Sequence, residues 1–155
     1  TSRTAERLRR HVERLGEDRH YRDTQREFMI EGPRALIAAS RHIAIFSGLV
    51  VSSPLLKCAV ARSLSRQLQS DGLETVFVSP DRFRRISTAV RASGIVAVVQ
   101  QRHDRLENVT PSADRCWLAV SRIRSAGNLG TLMRSAVAAS ADGLVLIGQS
   151  TDPYQ

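Results

Sequence analysis

At 155 residues and 42% apolar content, the chain is sized for one or two domains and is too apolar to be a disordered segment. Its net charge of +8 and pI near 11.1 favour a polyanionic partner, although a GC-rich genome would also substitute arginine for lysine, and Lys57 is the only lysine. No apolar run reaches membrane-spanning length and no signal peptide is visible; Cys58 and Cys116 stand apart, which argues against a zinc site or disulfide framework and fits a reducing cytoplasm.

Thr1 to Leu15 reads as an amphipathic helix, with Thr4 able to cap it and Leu8, Val12 and Leu15 as a narrow apolar stripe. Arg3, Arg7, Arg9, Arg10 and Arg14 cover most of the rest. This is either an RNA-facing helix or a solvated one held by three packed residues. Gly16 should end it. Glu17 to Glu27 is highly charged and reads as a connection; Arg19, His20, Tyr21, Arg22 and Arg26 mix cations with an aromatic, a set that can hold phosphates and stack on bases.

From Phe28 the chain alternates. Strands are expected at Phe28–Ile30, Leu49–Val51, Thr75–Val78 and Ile95–Val99. Helices are expected at Arg34–Arg41, from Pro54 to about Ser70, and at Arg82–Val90, the last after a start signal of Ser79, Pro80 and Asp81. This order of strands and helices argues for a layered α/β sandwich. Arg82, Arg84 and Arg85 are either a phosphate-contacting patch or a solvated face. His42, at a helix end, and His11, His20 and His103 have no partners at metal-ligand spacing, so no metal is expected. Residues 102–112, ending in Thr110-Pro111-Ser112, read as a linker.

The last segment opens with the apolar run Trp117–Ile123, turns through Ser125-Ala126-Gly127-Asn128, and continues as a helix with Leu129, Leu132, Met133, Ala136 and Val137 on one face. Asn128 is expected as the N-cap. Asp142-Gly143 breaks the helix, and Leu144–Ile147 is a second buried strand. The two strands should be parallel and joined by a right-handed crossover. Ligands of parallel sheets bind beyond the carboxyl ends of strands. There Gly127 and Gly130 permit close approach, the helix N-terminus offers free N–H groups, and Arg134 adds a permanent cation. The same residues also make an ordinary βα turn.

Asn128-Leu129-Gly130, Arg134-Ser135 and Ala141-Asp142-Gly143 followed by an apolar strand resemble the first signature of the SpoU/TrmH family, RNA 2'-O-ribose methyltransferases of the SPOUT superfamily. Upstream, Arg26 to Arg34 resembles the opening of that family's substrate-binding domain, and Gly94 to Val99 its closing strand. Ser125-Ala126 stands where the family has Asp-Pro, and the family's second and third signatures would lie downstream of Gln155.

The resemblance implies an N-terminal helix (1–20), an α/β sandwich that binds the RNA substrate (21–101), the linker (102–112) and, at 113–155, the first β-α-β unit of a SPOUT trefoil-knot domain. Residues 113–155 alone are few for an independent core, which leads us to expect a C-terminally incomplete chain that is inactive by itself. The methyl donor would be S-adenosylmethionine, bound downstream of Gln155, with no cofactor-binding residue in this chain. Arg134 maps onto the family's catalytic arginine, Asn128 onto the asparagine that orders the turn, and Arg22, Arg26 and Arg34 onto RNA-contacting positions. The expected partner is RNA, ribosomal rather than transfer RNA, with a homodimeric parent, a cytoplasmic location and no membrane. Antibiotic-resistance enzymes share the arrangement, which leaves that role open. The alternatives are a non-catalytic RNA-binding module like a ribosomal protein and, last, another nucleotide-binding α/β protein using Gly127 to Gly130.

Overall fold

The computed structural model describes residues 2–102, 106–109, 112 and 114–154, and the side chains of these except 2, 42–44 and 108. The expectations for His103 and for the His42 side chain lie outside the described residues. Two compact units emerge, Thr1–Arg102 and His103–Gln155. Among the described residues, no helix is long and apolar enough to cross a membrane.

The first unit is a four-stranded sheet ordered β1-β4-β2-β3: β1 (Glu27–Glu31), β2 (Phe46–Val51), β3 (Thr75–Phe77) and β4 (Ile95–Gln100). The β2–β3 pair is parallel; β4 runs antiparallel to both β1 and β2. Successive side chains of a strand point to opposite faces, and β4 supplies both. Ile95, Ala97 and Val99 join Leu36 of α3 (Pro33–Ala39) and Ala61 and Leu68 of α4 (Ala59–Ser70). Val96 and Val98 join Leu8, Val12 and Leu15 of α1 (Ser2–Glu17) and Phe83 and Ile86 of α5 (Pro80–Ile86). The layered sandwich expected from the sequence is therefore present, with helices on both faces of the sheet.

Several boundaries move. Thr4 lies inside α1 rather than capping it, and α1 passes through Gly16 to Glu17. The charged stretch after it is a short helix, α2 (Arg19–Gln25), capped by the Asp18 side chain on the Tyr21 N–H. The helix expected from Pro54 starts at Ala59: the N–H groups of Leu55 and Leu56 both donate to the Ser52 carbonyl, a turn that drops Leu56 into the core. By contrast, Ser79 caps α5 through the Arg82 N–H with proline at its start, as its sequence signal indicates. Glu31, at the end of β1, ties down the segment before β4 by accepting from the Ser87 hydroxyl at 2.7 Å, the Thr88 N–H at 3.0 Å and the Ser93 hydroxyl at 3.2 Å.

The second unit is a two-stranded parallel ribbon, β5 (Trp117–Ser121) against β6 (Gly143–Ile147), joined by α6 (Ala126–Ala138). Asp142 closes its lower end, donating its N–H to the Cys116 carbonyl while its carboxylate accepts from the Cys116 N–H.

Candidate RNA-facing site at the start of α6

Parallel pairing puts the carboxyl ends of β5 and β6 on one side of the ribbon, the side on which α6 begins. The helix is capped by Ser125, not by the expected Asn128. Ser125 has extended backbone, its hydroxyl accepts from the Asn128 N–H at 3.3 Å, and its carbonyl accepts from the Leu129 N–H at 2.9 Å. The helix therefore begins at Ala126, two residues before Asn128, which sits exposed within the first turn. Leu129 is fully buried and anchors that turn.

Arg134 is exposed, as the proposed chemistry requires, and its side chain runs back toward the helix start. Long helical side chains lean that way by geometry. Its Nη2 donates to the Thr131 hydroxyl at 3.0 Å, and the Thr131 hydroxyl donates to the Gly127 carbonyl at 3.0 Å. A Cβ on Gly130 would stand 3.2 Å from Arg134 Nη1, so the glycine keeps the path of the guanidinium clear. Arg122 and Arg124, also exposed, occupy the loop between β5 and α6. The Arg122 N–H donates to the Ile147 carbonyl, and the Thr151 N–H to the Ile123 carbonyl, so the segments following both strands are stitched together beside the helix start. Three exposed permanent cations at the end of β5 and the start of α6 suit a phosphodiester strand.

The remaining sequence-predicted residues divide. Arg26 and Arg34 are exposed at opposite ends of β1, Arg26 in a left-handed backbone conformation that closes α2, Arg34 in the first turn of α3. Arg22 is different: it is 4% exposed and its guanidinium donates to the Leu15 carbonyl at 2.6 Å. It holds α2 to the end of α1 and, in this arrangement, does not face solvent. Sequence reasoning did not single out Ser125 as the cap or Thr131 as the partner of Arg134. Ser125, three residues before Asn128, carried the capping signal; nothing in the sequence flagged Thr131.

No family model matches the chain. A 23S rRNA (uridine(2479)-2'-O)-methyltransferase of Streptomyces viridochromogenes is 30% identical over 138 residues, 88% of this chain and 47% of that protein. Among solved structures, an AdoMet-bound rRNA methyltransferase from Sinorhizobium meliloti matches 95% of this chain and 53% of its own at 27% identity and a TM-score of 0.77. The SpoU methyltransferase AviRb from Streptomyces viridochromogenes, in complex with AdoMet, matches 95% of this chain and 55% of its own at 25% identity and a TM-score of 0.78. The chain spans less than half the length of the curated relatives it matches.

Proposed function

We propose, on the premise that the chain's relatives and structural neighbours are SpoU/TrmH-type rRNA 2'-O-methyltransferases, that the protein carrying this chain is an S-adenosylmethionine-dependent RNA 2'-O-ribose methyltransferase acting on ribosomal RNA. In this reading the first unit binds the substrate and the second opens a trefoil-knot catalytic domain. The observation that carries it is the exposed guanidinium of Arg134, folded back over the first turn of α6 at the carboxyl ends of β5 and β6.

A ribose 2'-hydroxyl is a weak nucleophile because almost none of it is ionised at neutral pH. The protein must ease loss of the proton and stabilise the developing alkoxide. Arg134 is permanently charged and cannot itself accept the proton. Its role is to grip a phosphate of the target strand and to donate to the 2'-oxygen as negative charge grows there, the phosphate serving as proton acceptor. Asn128 is assigned to ordering the turn against the rest of the catalytic centre. Arg26 and Arg34 are assigned to the RNA strand; Arg22 is withdrawn from that role because its guanidinium is used internally. S-adenosylmethionine supplies a methyl group already activated by its sulfonium charge. The cations Arg122, Arg124 and Arg134 do not fit that positively charged donor, so no residue of this chain is assigned to hold it. A homodimer belongs to the same reading.

The test is nucleoside mass spectrometry of unmodified ribosomal RNA incubated with S-adenosylmethionine and the longer parent protein that carries this chain. A new 2'-O-methyl nucleoside is expected, lost in Arg134→Ala and not restored by Arg134→Lys. RNA binding without any transfer would favour the non-catalytic module instead.

A further inference from the structure

The first unit carries a groove of about 890 Å³ that the proposed chemistry at α6 does not use. One exposed face of α1 lines it with Arg3, Arg7, Arg10 and Arg14, spaced three and four residues apart and so neighbours along the helix. Among the described residues, neither Arg3 nor Arg7 pairs with a carboxylate. The acids lining the groove are mostly engaged: Glu6 is held by Arg9 and Arg10, and Glu27 by His11 Nε2 at 2.8 Å. Glu74 is the exception, with one buried carboxylate oxygen that has no hydrogen-bond partner among the described residues.

The aromatic in the groove is held rigidly. Tyr21 bonds through its hydroxyl to His11 Nδ1 at 2.8 Å, and the Arg14 guanidinium carbon lies 3.8 Å from its ring centroid. The groove thus combines unpaired cations for phosphates and a guanidinium backed by an aromatic ring on which a base can stack. A duplex buries its base faces and could use the cations but not the ring-backed guanidinium.

We propose that this groove binds a single-stranded segment of RNA, with its phosphates along Arg3 and Arg7 and a base stacked against Arg14. The inference rests on the RNA-directed reading above, and it supplies the RNA contacts that Arg22, turned inward, does not make.

The test is fluorescence anisotropy of a labelled, unstructured oligoribonucleotide titrated with the protein at several salt concentrations. Arg3→Gln/Arg7→Gln is compared with Arg62→Gln/Arg66→Gln, an equal charge change on α4, whose apolar face packs on the other side of the sheet. The groove pair is expected to weaken binding by about tenfold and to flatten the log–log salt slope by about 1.4, two single-strand phosphate contacts' worth. The α4 pair should change affinity by less than about twofold, as the loss of general charge alone would. Equal losses in the two pairs, or no loss in the groove pair, would overturn the groove assignment while leaving RNA binding intact. A wild-type protein that binds no RNA even at low salt would overturn the RNA-directed reading itself. Should the groove pair fold poorly, photocrosslinking of a 4-thiouridine oligonucleotide to the wild type decides: crosslinks within α1 or α2 support the groove, and crosslinks confined elsewhere refute it.

Discussion

Arg134 and Thr131 are one helical turn apart on α6, and the guanidinium of the first donates to the hydroxyl of the second at 3.0 Å. Because that hydroxyl spends its own proton on the Gly127 carbonyl, its lone pairs are turned toward the arginine. Thr131→Val should free the guanidinium without touching any buried group, since Thr131 is exposed. In the proposed mechanism, a misplaced Arg134 costs alignment more than binding. We expect kcat to fall by about tenfold with KM for RNA nearly unchanged, and Thr131→Ser to restore it. Steady-state kinetics of the three proteins check this; a normal kcat in the valine variant would mean the hydroxyl does not position Arg134.

In the second unit, the indole ring of Trp117 on β5 packs against Gly143, its register partner on β6. A Cβ at Gly143 would stand 2.1 Å from the indole ring, a distance no rotamer adjustment of a methyl group relieves. Gly143→Ala must displace the ring, at a cost of about 1–3 kcal/mol for overpacking. Trp117 is the only tryptophan, so its fluorescence reports this contact alone. A lower melting temperature with a red-shifted emission maximum is expected.

Much of this was legible in the sequence, and the rest fails for identifiable reasons. The apolar run of β4 marked a strand and the stripe Leu8, Val12, Leu15 a helix with one packed face; that the sheet is buried on both sides and that this helix covers one of them is seen only in the structure. The order β1-β4-β2-β3 is a matter of pairing between distant segments, which local pattern does not encode. Helix α2 has no apolar periodicity; its only buried residue is Arg22, a type read as surface, so both the helix and the fate of its arginine escaped notice. At α6 the mouth, the parallel strands and the exposure of Arg134 followed from the pattern. The cap did not: Ser125 and Asn128 are both capping residues three apart, and the choice was made by the Leu129 N–H reaching the Ser125 carbonyl.

The burial of Arg22 makes a prediction of its own. Its guanidinium satisfies the Leu15 carbonyl near the end of α1, where the last turn of a helix leaves acceptors unmet. Arg22→Met keeps much of the volume and removes the donor. A buried charged hydrogen bond is worth about 1.5–3 kcal/mol, and chemical denaturation should show a loss of that size. RNA affinity measured well below the melting temperature should stay within about twofold of wild type, since general charge at this depth contributes little to a phosphate strand. A large affinity loss in a folded variant would return Arg22 to the RNA surface.

Glu6 sets the acid response of α1. Hydrogen bonding from Arg9 is the chief reason its carboxyl is held down to about 2 from an ordinary 4.5, with the charge of Arg9 and the hydrogen bond and charge of Arg10 adding to it. The folded state therefore binds this proton less readily than the unfolded chain. The stabilisation is fully present above about pH 4.5 and is lost as pH falls through about 2. The pair is half-exposed and open to screening, so its effect should be modest and should shrink in high salt. The informative quantity is a difference: wild-type stability minus that of Glu6→Gln, followed by helical circular dichroism during denaturation. That difference is expected to be constant from pH 7 to about 5 and to narrow steadily below, reaching zero only near pH 2. A difference that stayed flat through this range would mean that Arg9 and Arg10 do not hold the carboxylate in solution, and that the arginine face of α1 is freer to take phosphate than its ion pairs imply.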